Sequence, residues 1–338
     1  MKLNASLSVA NQWLRHHQND RNKSIALAKL LSISENSAYK RLYGITPFSL
    51  PEALMISTSL GISMNQLLYH EDPLFSANFS GIGSYSCSDY LDLVEKELNN
   101  ILQHNQKKAW VITNEIPDVY FYFFSELAMF KYYSWERMTW ENEKLSAQKF
   151  DFNIPELASV PNRLNNMLNK YLQIPVIEIW NYNIFDNVLW QIEYFWKNGD
   201  FKNNRIPLIL CKRLSDLLFH IEKMVIHGKR FLPGKLLGAN NPSFNLYLNE
   251  AMQSHNILLV QTNDSFTTYP VLNNPNYIKT SDREVTNYIQ ELISVLKKQA
   301  LPLSNVTLKY RRAFFNRITK KVEILERKIM QEPSTDRS

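Results

Sequence analysis

Three side chains with metal-binding chemistry share a stretch that predicts a helix. Asp216, His220 and His227 follow one another at intervals of four and seven residues, which places them on one helical face. A carboxylate and two imidazoles on one face can bind Zn²⁺. The same spacing is more typical of a surface ion pair between histidine and aspartate, so we predict no metal site.

The sequence contains none of the common signatures of nucleotide-binding or hydrolytic enzymes. GxGxxG, GxxxxGK[ST], GxSxG and HExxH are all absent. The two cysteines, Cys87 and Cys211, have no CxxC or Cys/His spacing, and Cys87 has no basic neighbour in sequence to activate its thiol. We therefore predict that the protein is not an enzyme, needs no cofactor and keeps free thiols in a reducing cytoplasm.

The length and charge of the chain indicate its domain number and its kind of partner. A chain of 338 residues exceeds what a single core usually organises, which predicts two or three domains. The formal net charge of +6 favours acidic partners such as nucleic acid. The most apolar run, residues 119–125, is far shorter than the roughly 20 residues of a spanning helix, so we predict a soluble, cytoplasmic protein without membrane contact.

The first 70 residues carry a regular series of helix start and stop signals. Helices are predicted at residues 5–18, 23–31 and 35–43, with Ser34 capping the third and Gly44 ending it. Ser49 and Glu52 form a capping box for a fourth helix that Gly61 ends, and Ser63 repeats this logic for a fifth. Five short helices of this kind predict a compact helical domain.

This segment resembles the lambda-repressor-like helix-turn-helix domain of Cro, phage-repressor and XRE-type transcription regulators. The matching positions are Leu27, Ala28, Ile33, Ser34, Ala38, Gly44, Ser49, Leu50, Leu54, Leu60, Gly61, Ile62, Ser63 and Leu67. One position departs from the pattern, because the turn of the family usually has glycine where Ser32 stands. Ser32 must either tolerate a positive φ or belong to an altered turn.

The resemblance implies that helix 35–43 enters the major groove of DNA. It implies that Glu35, Asn36, Ser37 and Tyr39 face base edges, with Asn36 suited to adenine and Glu35 able to accept a hydrogen bond from cytosine N4. The resemblance also implies four residues that bind phosphates: Lys23, Ser24, Lys40 and Arg41.

The charge of this segment is small for a DNA-binding module. Up to Asp72 it has seven basic and five acidic residues, a net charge of +2. A single module of this charge should bind DNA weakly, so we predict a homodimer that presents two recognition helices.

The rest of the chain predicts a mainly α fold, with a large helical domain and a small α+β C-terminal part. The predicted domains are residues 1–72, a linker at 73–88, a helical sensor or assembly domain at 89–237, an α+β region at 238–332 and a tail at 333–338. Further helices are predicted at 89–104, 118–138, 162–173, 183–198, 206–227, 281–299 and 307–330. Successive antiparallel helices of this kind favour solenoid or bundle packing.

Two of these segments leave an alternative open. Helix 118–138 is apolar nearly all round and predicts either core or the lining of an effector pocket. Helix 307–330 has an apolar seam at alternating spacings of three and four, which predicts either homodimerisation or docking on its own domain. One β-hairpin is predicted, from residues 256–262 and 266–272, and residues 110–116 are either a strand or an extended connector.

These features together predict a sequence-specific DNA-binding transcription regulator. Its partners would be double-stranded DNA, a second copy of the chain, and a small-molecule or peptide effector. The alternative function is a protein-interaction scaffold, such as an antitoxin or phage-defence component that uses the helix-turn-helix for contacts or autoregulation.

Overall fold

The computed structural model divides the chain into two compact units, Met1–Ala77 and Asn78–Ser338. The residues that it describes are 5–17, 22–62, 64, 67, 78–79, 87–140, 142–235, 237–252, 256–273, 276–304 and 308–331. Within these residues, no helix combines the length and the apolar character that a membrane crossing would need.

The first unit contains four described helices: α1 (Ala5–His16), α2 (Lys23–Leu31), α3 (Glu35–Leu42) and α4 (Leu50–Leu60). All four agree with the predicted helices to within two residues at each end. The fifth predicted helix lies outside the described residues except for Met64 and Leu67. The helices enclose a core whose buried members are Val9, Trp13, Leu27, Leu31, Ala38, Leu42, Ala53, Ile56 and Leu67.

Side chains at the helix ends satisfy backbone N–H groups that the helices leave without a partner. The Ser34 Oγ accepts a hydrogen bond from the Ser37 backbone N–H at 3.2 Å. Both bonds of the predicted capping box are present, since Ser49 N donates to Glu52 Oε2 at 2.8 Å and Glu52 N donates to Ser49 Oγ at 3.4 Å. These caps fix where α3 and α4 begin.

The second unit is built on one mixed sheet, which overturns the prediction of a mainly α fold with one β-hairpin. The described strands are β1 (Asn78–Phe79), β2 (Lys107–Thr113), β3 (Val176–Trp180), β4 (Phe244–Leu248), β5 (Ile257–Thr262), β6 (Ser265–Asn273), β7 (Asn276–Lys279) and β8 (Leu301–Pro302). Their order is β1-β7-β6-β5-β2-β3-β4-β8. The protein is therefore not all-α, and its helices pack on a sheet rather than in a solenoid.

The centre of this sheet is parallel and its flanks are antiparallel. β2 pairs with β3 and β3 with β4 in parallel register, and Thr113 stands opposite Trp180. β5 adds to β2 in the antiparallel sense and continues into the predicted hairpin with β6. Parallel strands require crossover connections, and the helices of the unit supply them.

The described helices of the second unit are α5 (Cys87–Leu102), α6 (Ser125–Met138), α7 (Glu143–Ser146), α8 (Val160–Tyr171), α9 (Asp186–Lys197), α10 (Arg205–His227), α11 (Arg283–Lys298) and α12 (Leu308–Gln331). Two short 3-10 helices, Asp118–Phe123 and Pro155–Leu157, lie between them. The single helix predicted at 118–138 is thus wrong, because extended backbone at Phe124 (φ −131°, ψ 127°) separates the 3-10 helix from α6.

The described residues of this unit form two apolar cores. The larger one collects buried residues of α5, α6, α8, α9, α10 and α12 together with Val176 and Trp180 of β3. The smaller one joins Ile112 and Ile179 to Ile289 and Ile293 of α11. Alternate residues of β3 belong to different cores, so the sheet separates them.

A buried polar cluster crosses the larger core. Glu178 of β3 is fully buried and accepts hydrogen bonds from the Tyr120 hydroxyl at 2.7 Å and from Trp180 Nε1 at 2.8 Å. Arg230 is 1% exposed, and one of its terminal nitrogens donates to the carbonyl oxygens of Tyr171 and Ile174 at 2.8 and 2.5 Å. Burial raises the pKa of Glu178 to about 7. The hydrogen bonds from Tyr120 and Trp180 and the charge of Arg230 act in the opposite direction but are weaker.

Candidate nucleic-acid interface

The candidate interface is the outer face of α3, which follows α2 after a turn of three residues, 32–34. Ser32 ends α2 with φ 54° and ψ 42°, so it adopts the left-handed conformation that glycine usually supplies. Its backbone N–H points back to the last turn of α2, and Ile33 N donates to the Ala28 carbonyl oxygen at 3.0 Å. The turn is therefore tight although it lacks glycine.

One face of α3 is buried and the other is open. Ala38 is 0% exposed and Leu42 is 5% exposed, and both belong to the core of the first unit. Glu35, Asn36, Tyr39 and Lys40 are all exposed, whereas Ser37 is half-buried. The structure thus brings the predicted base-reading residues together on the first two turns of one helix.

The N-terminus of α2 lies beside the N-terminus of α3. Lys23 and Ser24 are half-buried in the first turn of α2, and Ser24 Oγ donates to Glu35 Oε1 at 3.3 Å. The carbonyl oxygen of Lys23 accepts a hydrogen bond from Trp13 Nε1 at 3.1 Å, which ties this turn to α1. A phosphate bound by Ser24 would compete with the Glu35 carboxylate for the same hydroxyl.

Arg41 has a protein partner. Its NH2 group lies 2.8 Å from Glu52 Oε1 and its Nε donates to Glu52 Oε2 at 3.1 Å, a bidentate pair between α3 and α4. Burial would raise the pKa of Glu52, but the bonds from Arg41 and Ser49 outweigh burial and hold that pKa below its usual value. Arg41 therefore links two helices, and a phosphate contact would have to compete with Glu52.

Tyr39 of α3 and Tyr43, directly after its end, form an exposed aromatic pair, of which only Tyr39 was predicted to face DNA. The rings of Tyr39 and Tyr43 lie 4.3 Å apart between centroids, and Tyr43 is 63% exposed. Their spacing of four residues within the predicted helix 35–43 is the signal that could have identified the pair.

The candidate metal residues do not converge. Asp216 pairs with Lys212 and Arg213, and the His220 ring bonds to the Phe231 carbonyl oxygen at 2.8 Å. No group of three or more metal-binding side chains occurs among the described residues.

Neither protein-family models, curated proteins nor solved structures match this chain.

Proposed function

We propose that the protein is a sequence-specific DNA-binding transcription regulator that reads the major groove with α3. The observation that supports this function best is the two-sided character of α3. Its inner face is anchored by buried Ala38 and Leu42, while four exposed polar side chains project from its first two turns. A helix held in this way after a tight turn has the shape that fits a major groove about 12 Å wide.

Each exposed side chain of α3 has a chemistry suited to a base or a phosphate. The Asn36 amide can donate to and accept from adenine, and the Glu35 carboxylate can accept from cytosine N4. Lys40, one turn further along, supplies a charge for the phosphate backbone, as does Lys23 at the start of α2. Ser37, Ser24 and Tyr39 complete the proposed set, with Arg41 holding the recognition helix against α4.

We further propose that the regulator acts in the cytoplasm as a homodimer whose second unit responds to an effector or mediates assembly. The support for a dimer is the net charge of only +2 in the first 72 residues, which gives one copy little electrostatic attraction to DNA. Two copies double the number of base contacts and of phosphate contacts.

The test is fluorescence anisotropy of the full-length protein on duplex DNA from upstream of its own coding sequence, at several salt concentrations. Asn36→Ala should weaken binding by about 1–3 kcal/mol and relax the preference for one sequence. Lys40→Ala should weaken binding to every sequence and lower the slope of log K against log salt by about one. Lys29→Ala is the matched control, because Lys29 is exposed on α2 and lies outside the proposed interface.

Two results would refute the proposal. One is DNA affinity that does not depend on salt. The other is an affinity that Asn36→Ala and Lys40→Ala change no more than Lys29→Ala does.

One observation favours a second function, a protein-contact module. Tyr43, Ile45 and Leu50 are each more than 60% exposed, and Leu54 is 47% exposed, although all four are large and apolar. Several large exposed apolar side chains between the end of α3 and the first turns of α4 are typical of a surface that binds protein. In that case Leu50→Asp would abolish partner binding, and Asn36→Ala would leave it unchanged.

A further inference from the structure

A cavity of about 220 Å³ lies in the second unit at the carboxyl end of β2. It is lined by α5, by the segment that leads from β2 into the 3-10 helix Asp118–Phe123, and by the hairpin of β5 and β6. The carboxyl ends of parallel strands are where open α/β sheets usually bind ligands. This cavity belongs to neither the proposed DNA interface nor the polar face of α3.

Tyrosine rings form much of the wall. Tyr269 and Tyr277 meet edge to face with centroids 5.6 Å apart, and Tyr90 approaches Tyr277 at 6.4 Å. Tyr122 and Tyr171 complete the set of five tyrosines that line the space. Burial raises the pKa of all five hydroxyls, that of Tyr277 to about 12, so the rings stay neutral at physiological pH.

The charged residues among the described lining of the cavity all have the same sign. Glu97, Glu115 and Asp118 line it, and no Lys, Arg or His occurs among the described lining residues. Lys279 binds both oxygens of Glu97 at 2.8 Å and Lys131 lies 3.2 Å from Asp118, but neither lysine contributes to the lining. The described lining residues therefore combine five neutral tyrosines with three acidic side chains, two of which are paired with lysines outside the lining.

The polar end of the cavity is held in place by hydrogen bonds. Thr113 Oγ1 donates to Asn256 Oδ1 at 2.9 Å. Asn256 Oδ1 also accepts a hydrogen bond from Asn114 N at 3.2 Å. The Glu115 carbonyl oxygen shares the single Thr113 hydroxyl proton, and Glu115 N donates to Thr113 Oγ1 at 3.0 Å. The backbone that presents Glu115 is thus fixed, which reduces the ordering cost of binding a ligand there.

We propose that this cavity binds a small organic cation, a monoammonium compound with one ring or one branched alkyl group. Tyrosine faces attract ammonium groups through their quadrupoles, and carboxylates form charge-assisted hydrogen bonds with them. An apolar cavity of about 150 Å³ holds benzene, so 220 Å³ holds one ring with a short aminoalkyl chain. An anion would find no basic side chain among the described lining residues, and Glu97 and Asp118 already bind the two nearby lysines.

The ligand class can be tested by isothermal titration of the full-length protein with three compounds of similar size. Phenethylamine carries the ammonium group, 2-phenylethanol is neutral and 3-phenylpropionate is anionic. We expect phenethylamine to bind at least tenfold more tightly than either of the others. Equal binding of 2-phenylethanol overturns the proposal. So does the absence of saturable binding for phenethylamine, 3-methylbutylamine and benzyltrimethylammonium alike.

The location can be tested with two variants and a matched control. Glu115→Gln keeps the size of the side chain and removes its charge, and should weaken phenethylamine binding about tenfold. Val94→Phe should abolish binding by filling the cavity from α5. Glu291→Gln makes the same chemical change on the exposed side of α11 and should leave the affinity unchanged.

Circular dichroism of each variant shows whether it is folded. Unchanged affinity in folded Glu115→Gln and Val94→Phe proteins would overturn the assigned location. These measurements contain no DNA, so their outcome is independent of the proposed DNA binding.

Discussion

Ser32 carries the main backbone strain in the turn between α2 and α3. An L-residue in the left-handed region costs roughly 1–2 kcal/mol, and glycine avoids most of that cost. We therefore expect Ser32→Gly to stabilise the first unit by about 1 kcal/mol. Hydrogen exchange of peptides covering residues 22–62, followed by mass spectrometry on the full-length protein, measures the change locally.

Ser59 provides the matched control for this substitution. It is exposed inside α4, where glycine has a poor helix propensity, so Ser59→Gly should destabilise the same unit by roughly 0.5 kcal/mol. Because both variants replace serine with glycine, stability changes of opposite sign would isolate the effect of the backbone conformation. A loss of protection in Ser32→Gly would mean that the turn does not have the positive φ described above.

Glu52 makes the first unit sensitive to acid. Its folded pKa lies below the unfolded value, so its contribution to stability is present above the usual carboxyl pKa and is lost as pH falls through the folded pKa. Glu52→Gln should lower the stability by about 2 kcal/mol at pH 7, because Arg41 and the Ser49 N–H lose a charged acceptor. The difference should shrink below about pH 4.

Thermal unfolding followed by circular dichroism at pH 7 and pH 3.5 measures both effects. Glu35→Gln is the control, since Glu35 is exposed and accepts one hydrogen bond of 3.3 Å from Ser24. We expect a change within about 0.5 kcal/mol for that variant. A pH-independent difference for Glu52→Gln would show that its charge is not what stabilises the contact.

Among the helices, α12 was predicted either to form a homodimer or to dock on its own domain, and the structure shows the docking. Its seam of Phe315, Ile318, Val322, Leu325 and Ile329 is buried in the larger core of its own unit. Lys321 and Lys328 bind Asp186 and Glu193 of α9 at 2.5 and 2.6 Å. The seam is therefore occupied within the chain, and a homodimer would have to use another surface.

Two isoleucines of α12 form a matched pair for testing this arrangement. Ile318 is fully buried, and Ile318→Ala should cost about 2–5 kcal/mol of stability in a monomer as well as in any oligomer. Ile324 is 62% exposed, and Ile324→Ala should change stability by no more than about 0.5 kcal/mol. Denaturant unfolding at two protein concentrations measures both. A cost for Ile318→Ala that appears only in a dimer would contradict the intramolecular docking.

The helices could be predicted because their signals are local. Ser34, Ser49 and Gly61 mark helix ends within a few residues of the backbone groups that they satisfy, and apolar periodicity identifies the buried faces. The parallel strands could not be predicted in the same way. β3 is only five residues long and all five are buried, so its sequence has no alternation, and it carries Glu178 in its middle. A short apolar run of this kind does not distinguish a strand from a helix.

The candidate interface was predictable in part for the same reason. Its exposed polar face follows from the period of α3, which also buries Ala38 and Leu42. The pairing of Arg41 with Glu52 joins residues eleven positions apart in two different helices, so it depends on how those helices pack. The break between the two helical segments at Phe124 also depends on tertiary packing. The flanking segments 118–123 and 125–138 bury aromatic residues on almost every side.

In the whole molecule, one sheet contains strands from both of the regions that the sequence predicted as separate domains on either side of residue 238. β2 and β3 come from the predicted helical region 89–237, whereas β4 and β5 come from the predicted α+β region 238–332. In the sheet, β5 and β4 flank the neighbouring strands β2 and β3, in the order β5-β2-β3-β4. Each region therefore supplies the hydrogen-bonding partners that the other lacks, and the two regions form one folding unit.

This pairing predicts opposite behaviour for two fragments. Residues 78–338 should fold on their own, with dispersed NMR signals and one cooperative unfolding transition, since they include all the described strands and helices of the second unit. Residues 78–237 should not fold, because losing β5 and β4 leaves the backbone groups on the outer edges of β2 and β3 unpaired. Losing α12 also uncovers apolar residues of α10 such as Leu214 and Leu217, which belong to the same core as its seam. A dispersed spectrum from residues 78–237 would show that the N-terminal half of the unit is an independent domain, and the shared sheet would then not be required for its fold.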